Sequence, residues 1–430
     1  MIASVVVFAR DHGQSESAAP SVAPAPSTSS LSPSDTIPPS FKLDTDPLQA
    51  TGANLAFVAN GALHIVDGKT GHVFNVGSGS EPRWSRTGDW LAYRTGPELQ
   101  EVWLQEANGG SAGLVADHVQ NFAWSPTDDR LAVASDDPGT GLKVIDAVGN
   151  ASRIGPAGAT GAVWEFDGQH LAYTTADLLG DHLFIADTTT PGDRSGRELG
   201  LAGLQPATGI QPVLWTRTAG IIAWLHPQHS VSLGHDGAAL VAIDPDAGTM
   251  RTIATTLTYP DWLAYQPAVS SSAADVVVVS GGNRDAFKDK RTLVCDNALV
   301  ECPTFPVDSD LAVVDPAWSP DGQHLVMVIA DTSSRTVWQP LAAATSLTLA
   351  STGDARIGPL LANTSATAHP MWLPDNRHVL AVQGDQLVAF DTNGEDPPTT
   401  VVAPLTGPDS DALGPSYYGH TDWTALVAVS

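Results

Sequence analysis

Basic residues are scarce in this chain of 430 residues: 20 Lys and Arg stand against 47 Asp and Glu, and the formal net charge is −27. A nucleic-acid partner is therefore not expected, because binding to phosphates needs a basic face. Adhesion to anionic lipid is disfavoured for the same reason. The simplest interpretation of the charge is an acidic surface that keeps the protein soluble.

Cysteine is also scarce, and Cys295 and Cys302 are the two in the chain. The residues between them include Asp-Asn-Ala-Leu, which can reverse the chain and bring the two sulfurs together across a hairpin. An even count at this spacing predicts a disulfide and an oxidising compartment. The alternative is a pair of free buried thiols. Two thiols make a poor metal site, and we predict neither a metal nor another cofactor.

The N-terminal stretch Ile2–Ala9 is apolar, but it is shorter than the roughly 20 residues that cross a bilayer. It lacks the basic flank and cleavage site of a complete signal peptide. We interpret residues 1–10 as the remnant of a membrane anchor or signal that starts upstream, with a disordered terminus as the alternative. Residues 11–50, rich in Ser and Pro, predict a disordered linker. Residues 51–430 predict a single domain, located outside the cytoplasm and either tethered or secreted.

A short pattern recurs along this domain: a Trp, a polar turn and an alternating apolar strand. Its clearest copy is Trp318-Ser-Pro-Asp-Gly322, in which Asp-Gly suits a tight hairpin. The Trp of the six copies are Trp84, Trp124, Trp164, Trp215, Trp318 and Trp372, which are 40, 40, 51, 103 and 54 residues apart. The longest gap contains one more copy, Pro267-Ala-Val-Ser270, from which the Trp has been lost.

This spacing predicts an all-β fold, a β-propeller of four-stranded blades. We label the strands of a blade A to D from the central channel outwards. Seven repeats, plus a blade shared by the strands from Leu55 and by the C-terminal stretch Ser416–Ser430, give eight blades, with seven as the alternative. Closure by both termini would remove the open edges of the array. The recurrent Trp, Ser and Asp are predicted to be structural.

The phrase Trp-Ser-Pro-Asp-Gly before an apolar strand resembles the TolB-type β-propeller repeat, from the mid-50s to the end of the chain. The resemblance implies an extracytoplasmic module that binds a protein, peptide or glycan at the cell envelope. The same repeat occurs in propeller domains of prolyl-oligopeptidase-like enzymes, so the alternatives are a hydrolase or lyase with a site at the channel mouth, and a sensor ectodomain. The sequence shows no paired-acid motif, which favours a role without catalysis. We expect a monomer.

Two long B–C loops, expected on one face of the ring, are the predicted ligand-binding surface. They contain three His beside a carboxylate, and then a basic segment on an otherwise acidic protein. The predicted residues are His226, His229, His235 and Asp236 in the first loop, and Arg284, Asp285, Lys288 and Lys290 in the second. Solvated histidines and internal ion pairs are the alternatives. Gly109–Gly113 matches the G-x-S-x-G pattern, but it lies in a predicted hairpin, where that pattern has no catalytic meaning.

Overall fold

The computed structural model describes residues 41–147, 149–177, 180–189, 196–204, 208–227, 238–258, 275–280, 290–296, 298–331, 344–351, 357–365, 367–405, 423 and 426–430. Within these ranges the chain is almost entirely strand and turn, with one six-residue helix, α1 (Asp46–Thr51), and a 3-10 turn at Pro97–Leu99. None of the helical segments in the described part is long and apolar enough to cross a membrane. The prediction of an all-β fold is confirmed.

The described strands form seven antiparallel sheets, numbered here in ring order. Sheet 1 contains β31 (Val427–Val429), β2 (Leu55–Ala59), β3 (Ala62–Val66) and β4 (Val73–Gly77). Sheet 2 contains β5 (Ser80–Trp84), β6 (Trp90–Thr95), β7 (Glu101–Glu106) and β8 (Ala112–Ala116). Sheet 3 contains β9 (Val119–Trp124), β10 (Leu131–Ser135), β11 (Leu142–Ile145) and β12 (Ala151–Gly155). Sheet 4 contains β13 (Thr160–Trp164), β14 (His170–Ala176), β15 (Asp181–Asp187) and β16 (Arg197–Leu199).

Of the remaining three sheets, sheet 5 has six strands, sheet 6 has four and sheet 7 has five. Sheet 5 contains β17 (Thr208–Thr216), β18 (Gly220–Pro227), β19 (Ala238–Ile243), β20 (Met250–Thr258), β21 (Asp275–Ser280) and β22 (Arg291–Asp296). Sheet 6 contains β23 (Leu311–Trp318), β24 (His324–Asp331), β25 (Ala344–Ser351) and β26 (Ile357–Ser365). Sheet 7 contains β27 (Thr367–Trp372), β28 (His378–Gln383), β29 (Gln386–Asp391) and β30 (Thr399–Ala403), with β1 (Lys42–Leu43) added at its outer edge.

The sheets are the blades of a ring. Inner strands contact each other in the pairs β31–β5, β9–β13, β13–β17 and β23–β27, β22 contacts β23, and β27 contacts β31 to close the circle. Sheets 2 and 3 are joined by the hydrogen bond from Trp124 of β9 to Arg83 of β5. The β-propeller is therefore confirmed. Seven sheets correspond to the alternative count that the sequence allowed beside eight. The difference arises in sheet 5, where β21 and β22, from the repeat without a Trp, are joined to β20 through the single residue pair Thr258–Ser280.

The repeat Trp connect neighbouring blades, as predicted. Their indole Nε1 donates to the carbonyl of the preceding blade's inner strand in four described pairs: Trp84 to Ala428 at 3.2 Å, Trp124 to Arg83 at 2.8 Å, Trp164 to Ala123 at 2.8 Å and Trp372 to Ala317 at 2.9 Å. Each acceptor in sheets 2, 3 and 6 is the residue just before that blade's own Trp. The indole hydrogen bond thus repeats from blade to blade, and it satisfies the polar end of a large apolar side chain.

The polar residues after each Trp close the A–B turn. In sheet 6, Ser319 Oγ accepts a hydrogen bond from His324 N at 2.9 Å, and Asp321 Oδ1 accepts one from Gln323 N at 3.0 Å. Gly322 has a φ of 69°, a conformation that glycine adopts without steric cost. The recurrent Ser and Asp are structural in this turn, as predicted.

Both termini contribute to sheet 1, as predicted. The C-terminal strand β31 pairs with β2 through Leu55–Val429, Ala56–Ala428 and Phe57–Val427. Ser430 N donates to Asn54 O at 3.0 Å, and Ser430 Oγ accepts from Asn54 N at 3.0 Å. This pairing covers the inner edge that β2 would otherwise expose.

Residues 41–50, assigned to the linker from the sequence, instead form an N-terminal strap (residues 41–53) across the junction of sheets 7 and 1. Lys42 pairs with Ala403 and Leu43 with Val402. Phe41 packs edge-on against Phe57 at 5.1 Å between ring centroids, and Leu48 of α1 is completely buried. Composition suggested a linker, but burial of these two apolar side chains and pairing with β30 offset part of the entropy cost of ordering the strap.

The predicted disulfide is present, with an S–S distance of 2.11 Å between Cys295 and Cys302. Cys295 is buried near the end of β22, and the segment beyond the loop returns beside β22, where Leu293 bridges Thr304. The two cysteines therefore flank a hairpin, as their spacing predicted.

Candidate functional site

The propeller has two faces that differ in their loops. The A–B and C–D turns share one side, here called the first face, since Ala107 N donates to Asp89 O at 2.8 Å. The B–C and D–A connections share the other side, here called the second face, since Val119 N donates to Gln100 O at 2.9 Å. Any site that combines several blades must lie on one of these faces or in the channel between the inner strands.

On the first face, an aspartate at the end of many C strands stabilises the C–D turn that follows. We did not predict this feature. The carboxylate accepts hydrogen bonds from backbone N–H groups within its own C–D turn. These residues are Asp67, Asp146, Asp187, Asp244, Asp296 and Asp391. The signal in the sequence was an Asp at the end of the third strand of six repeats, followed in five of them by Gly, Asn, Thr or Pro. Part of the acidic charge is therefore structural.

Among these aspartates, Asp391 accepts the most hydrogen bonds. Arg377 donates to it through Nε and Nη2, both at 2.9 Å, and Asp391 also accepts from three backbone N–H groups. The Arg377 hydrogen bond, with the N–H donors, holds the pKa of the Asp391 carboxyl far below its usual range. Glu395 and Asp396 lie 3.1 and 3.0 Å from the same guanidinium. The three carboxylates of this turn therefore share Arg377 as their cationic partner.

One A–B turn on the first face brings three potential metal ligands together. Glu165, Asp167 and His170 each offer a ligand atom within 4.8 Å of the others. His170 Nδ1 lies 2.5 Å from Glu165 Oε2, while Asp167 Oδ1 accepts from Gln169 N at 2.9 Å. Asp167 occupies the position of Asp321 in sheet 6, so its role in the turn is the structural one.

The strands that flank the predicted recognition loops end on the second face, and three B–C connections in the adjacent sheets 5 and 6 are long. Ten residues join β18 to β19, ten join β21 to β22 and twelve join β24 to β25. By contrast, Asn60 and Gly61 alone join β2 to β3, and Gly384 and Asp385 alone join β28 to β29. The additional chain length is therefore concentrated in one sector of this face.

Two of the eight predicted binding residues lie within the described ranges. His226 is near the end of β18, opposite Gly209, where a Cβ atom would be 2.2 Å from His226 Cε1. The imidazole therefore packs over the backbone of β17 at Gly209, where a larger residue would have to displace the His226 ring. His229, His235, Asp236, Arg284, Asp285 and Lys288 lie outside the described residues, and their assignment to a binding surface remains a prediction.

Lys290 corrects one premise of that prediction. We expected it to be an exposed charge of the loop, but it is 1% exposed and directly precedes β22. A long side chain at the end of a loop can fold back along the sheet and bury its methylene groups. Spacing in a loop does not reveal which basic side chain does so.

The described part of the second face also contains an acidic group around His182, which we did not single out. His182 Nδ1 lies 2.8 Å from Glu198 Oε1, and its Nε2 forms a 3.2 Å ion pair with Asp177 Oδ2. The hydrogen bond to Glu198, helped by Asp177, raises the pKa of His182. Asp181 beside it accepts from Ile210 N of the next blade at 2.9 Å. The two carboxylates therefore favour the protonated form of His182.

Four of the described inner strands carry a bulge three residues before the Trp. The residue there has a positive φ in Glu81, Gly161, Asp315 and His369, and the pairing register shifts at the same places. Asp315 accepts a hydrogen bond from His369 N, and His369 Nε2 lies 3.3 Å from Val427 O. Bulges of this kind re-aim side chains, and here two of them connect sheet 6 to sheet 7 and sheet 7 to sheet 1.

Glu81 also binds a side chain that connects its blade to the next one. Its Oε2 accepts from Arg94 Nε at 3.0 Å, and Arg94 also donates to Val119 O at 2.7 Å in the next blade. The G-x-S-x-G segment Gly109–Gly113 joins β7 to β8 in a hairpin, as expected, so the strand-turn-helix context of a nucleophile elbow is missing there.

No protein-family model and no curated protein matches this sequence. Solved structures with a similar fold include a prolyl endopeptidase, 13% identical over 85% of this chain and 53% of that one, with a TM-score of 0.49. An oligogalacturonate lyase in complex with manganese is 16% identical over 75% of this chain and 88% of that one, with a TM-score of 0.43. A putative TolB from Agrobacterium tumefaciens is 12% identical over 75% and 94%, with a TM-score of 0.38. The chain is similar to propeller proteins of several kinds.

Proposed function

We propose that this protein is an extracytoplasmic binding module that recognises a protein, peptide or glycan on its second face. The observation that carries the proposal is the concentration of three B–C connections of ten, ten and twelve residues in sheets 5 and 6. Two residues suffice for the same connection in sheets 1 and 7. Blade geometry therefore does not require the longer loops, and loops on a rigid scaffold commonly carry recognition.

Charge supports a ligand with anionic groups at this sector. The connection of residues 281–290 contains Arg284 and Lys288, two of the 20 basic residues in a chain with 47 acidic ones. With Lys290, Asp285 and Asp289 counted, this connection has a formal net charge of +1 in a chain of −27. It therefore attracts an anionic group only at short range, since the net charge repels it at a distance. Hydrogen bonds to a charged group contribute roughly 1.5–3 kcal/mol each.

The disulfide supports the location. Cys295 and Cys302 are bonded to each other, and structural disulfides are typical of oxidising compartments. A module outside the cytoplasm is consistent with the apolar N-terminal stretch and the Ser- and Pro-rich segment that follows it in the sequence.

The experiment is an affinity capture from envelope extract with immobilised wild-type protein and the variant R284A/K288A. Lys290 is left unchanged because it is buried. The control variant is K69A/R86A, which removes two exposed basic side chains from first-face turns. We expect the second-face variant to lose captured material and the control to retain it. Equal recovery by wild type and R284A/K288A would place recognition elsewhere.

A further inference from the structure

In the sequence, the repeat between β20 and β21 lacks the Trp that the six other copies carry. The repeat there reads Pro267-Ala-Val-Ser270, aligned with Pro316-Ala-Trp-Ser319, and a valine side chain has no N–H to donate. One residue pair, Thr258–Ser280, joins the two strands in the described ranges. Among the described residues, further contacts connect β21–β22 to β17–β20.

The loop closed by the disulfide supplies an apolar contact at this junction. Leu299, at the turn of this loop, is 1% exposed and has a φ of 55°. It belongs to an apolar cluster with Trp224 of β18, Leu240 of β19 and Val276 of β21. Cys295 is part of the same cluster. The loop thus inserts a leucine between the two parts of sheet 5.

Arg251 of β20 holds the same loop from the neighbouring strand. Its Nη1 donates to Leu299 O and its Nη2 donates to Ala298 O. Within the loop, the Asp296 carboxylate accepts from Val300 N at 2.7 Å. Two backbone carbonyls are therefore presented to one guanidinium, as long as the loop keeps its shape.

We propose that the disulfide-closed loop of residues 295–302 replaces the missing tryptophan contact, and that the junction between β20 and β21 depends on oxidation of Cys295 and Cys302. Reduction by a dithiol breaks the S–S bond: the two sulfurs gain two electrons and two protons, and the dithiol becomes its own disulfide. The loop then loses its closure, Leu299 leaves the apolar cluster and Arg251 loses its two carbonyl acceptors to water.

The chain offers a matched comparison for Arg251. Arg197 of β16 also donates from Nη2 to a carbonyl in a C–D turn of the following blade, Pro245 O at 2.8 Å. That following blade retains its Trp, Trp215, which is 6% exposed. Loss of Arg197 therefore removes one of several contacts, whereas loss of Arg251 removes a principal one.

The test is amide hydrogen exchange followed by mass spectrometry, with and without dithiothreitol, on wild type, C295S/C302S, R251A and R197A. Reduction is expected to accelerate exchange about tenfold or more in β19–β22, because opening of that junction becomes easier. Exchange in β9–β12 should stay unchanged. C295S/C302S should behave like reduced wild type without any reductant. R251A should accelerate the same segments in oxidised protein and add less than about twofold after reduction, while R197A leaves β21 and β22 unchanged.

Three results would overturn the proposal. Faster amide exchange confined to residues 291–305, with β19 and β20 unchanged, would show that the disulfide stabilises only its own hairpin. An equal effect of R251A in oxidised and reduced protein would show that the arginine and the disulfide are not coupled. Equally faster amide exchange in β9–β12 would indicate global unfolding instead of opening of this junction. The reductant arm uses folded wild-type protein, so the test does not depend on folding of the double variant.

Discussion

At the residue scale, the repeat is defined by what surrounds each Trp. The position six residues after one Trp covers the next Trp along the ring: Arg130 lies 5.2 Å from the Trp164 ring, and the ring centroids of His170 and Trp215 are 6.4 Å apart. His324 stacks on Trp372 at 6.3 Å. Histidines that suggest a site in sequence are therefore, at these positions, part of the blade contact.

The indole hydrogen bond can be tested at Trp124, whose Nε1 donates to Arg83 O at 2.8 Å. Trp124→Phe keeps the ring but leaves that carbonyl without its donor, so we expect a loss of about 1–2 kcal/mol in the free energy of unfolding. Urea unfolding measures it. Trp103→Phe is the control, because its Nε1 donates to Glu101 within the same strand. An equal loss in both variants would contradict an inter-blade role.

The His182 group predicts a pH dependence. Because Glu198 and Asp177 raise the pKa of His182, its protonated form stabilises the folded protein. That contribution is complete below the ordinary pKa of about 6.5 and is lost as the pH rises through the higher folded value. Titration by NMR should place the His182 midpoint above 6.5, and Glu198→Gln should lower it. A wild-type midpoint at or below the ordinary value would contradict the assignment.

At the element scale, local patterns identified the strands but not the strap. The alternation of apolar residues and the Asp-Gly turn predict the A–B hairpins well, since both are consequences of nearby sequence. The short helix α1 was missed because its stability comes from contacts with distant strands. In the same way, the burial of Lys290 depends on tertiary packing and left no signal in the spacing of the loop.

The strap can be tested through Leu48, which is completely buried. Leu48→Ala should destabilise the protein by about 2–5 kcal/mol, the usual effect of an emptied leucine site. Gln49→Ala, at the exposed next position of α1, is the control and should change stability by less than about 0.5 kcal/mol. Thermal unfolding measures both. If the two variants have the same melting temperature, the strap is not part of the folded ring.

At the scale of the whole molecule, the repeat predicted a closed ring, and the pairing of β31 with β2 confirms that both termini close it. The arrangement of polar side chains across blades was not predictable, because Glu81, Asp315 and His369 come from separate repeats that only the ring brings together. The number of sheets was also open, since one degenerate repeat joins its neighbour in sheet 5.

Closure predicts the effect of truncation. Removal of residues 422–430 deletes β31 and exposes the inner edge of β2, so we expect aggregation or a large fall in melting temperature. Removal of residues 1–40, which precede the strap, should leave the melting temperature unchanged. Differential scanning calorimetry with size-exclusion chromatography measures both. A C-terminally truncated protein that melts like the full chain would contradict closure.

The central claim is recognition on the second face, and site-specific photo-crosslinking tests it most directly. A benzophenone amino acid is placed at Ala286 in the connection of residues 281–290, and in a second protein at Arg86, an exposed first-face position. Both proteins are irradiated in envelope extract. We predict a discrete crosslinked product from position 286 and none from position 86. A product from position 86 alone would contradict recognition by the second face.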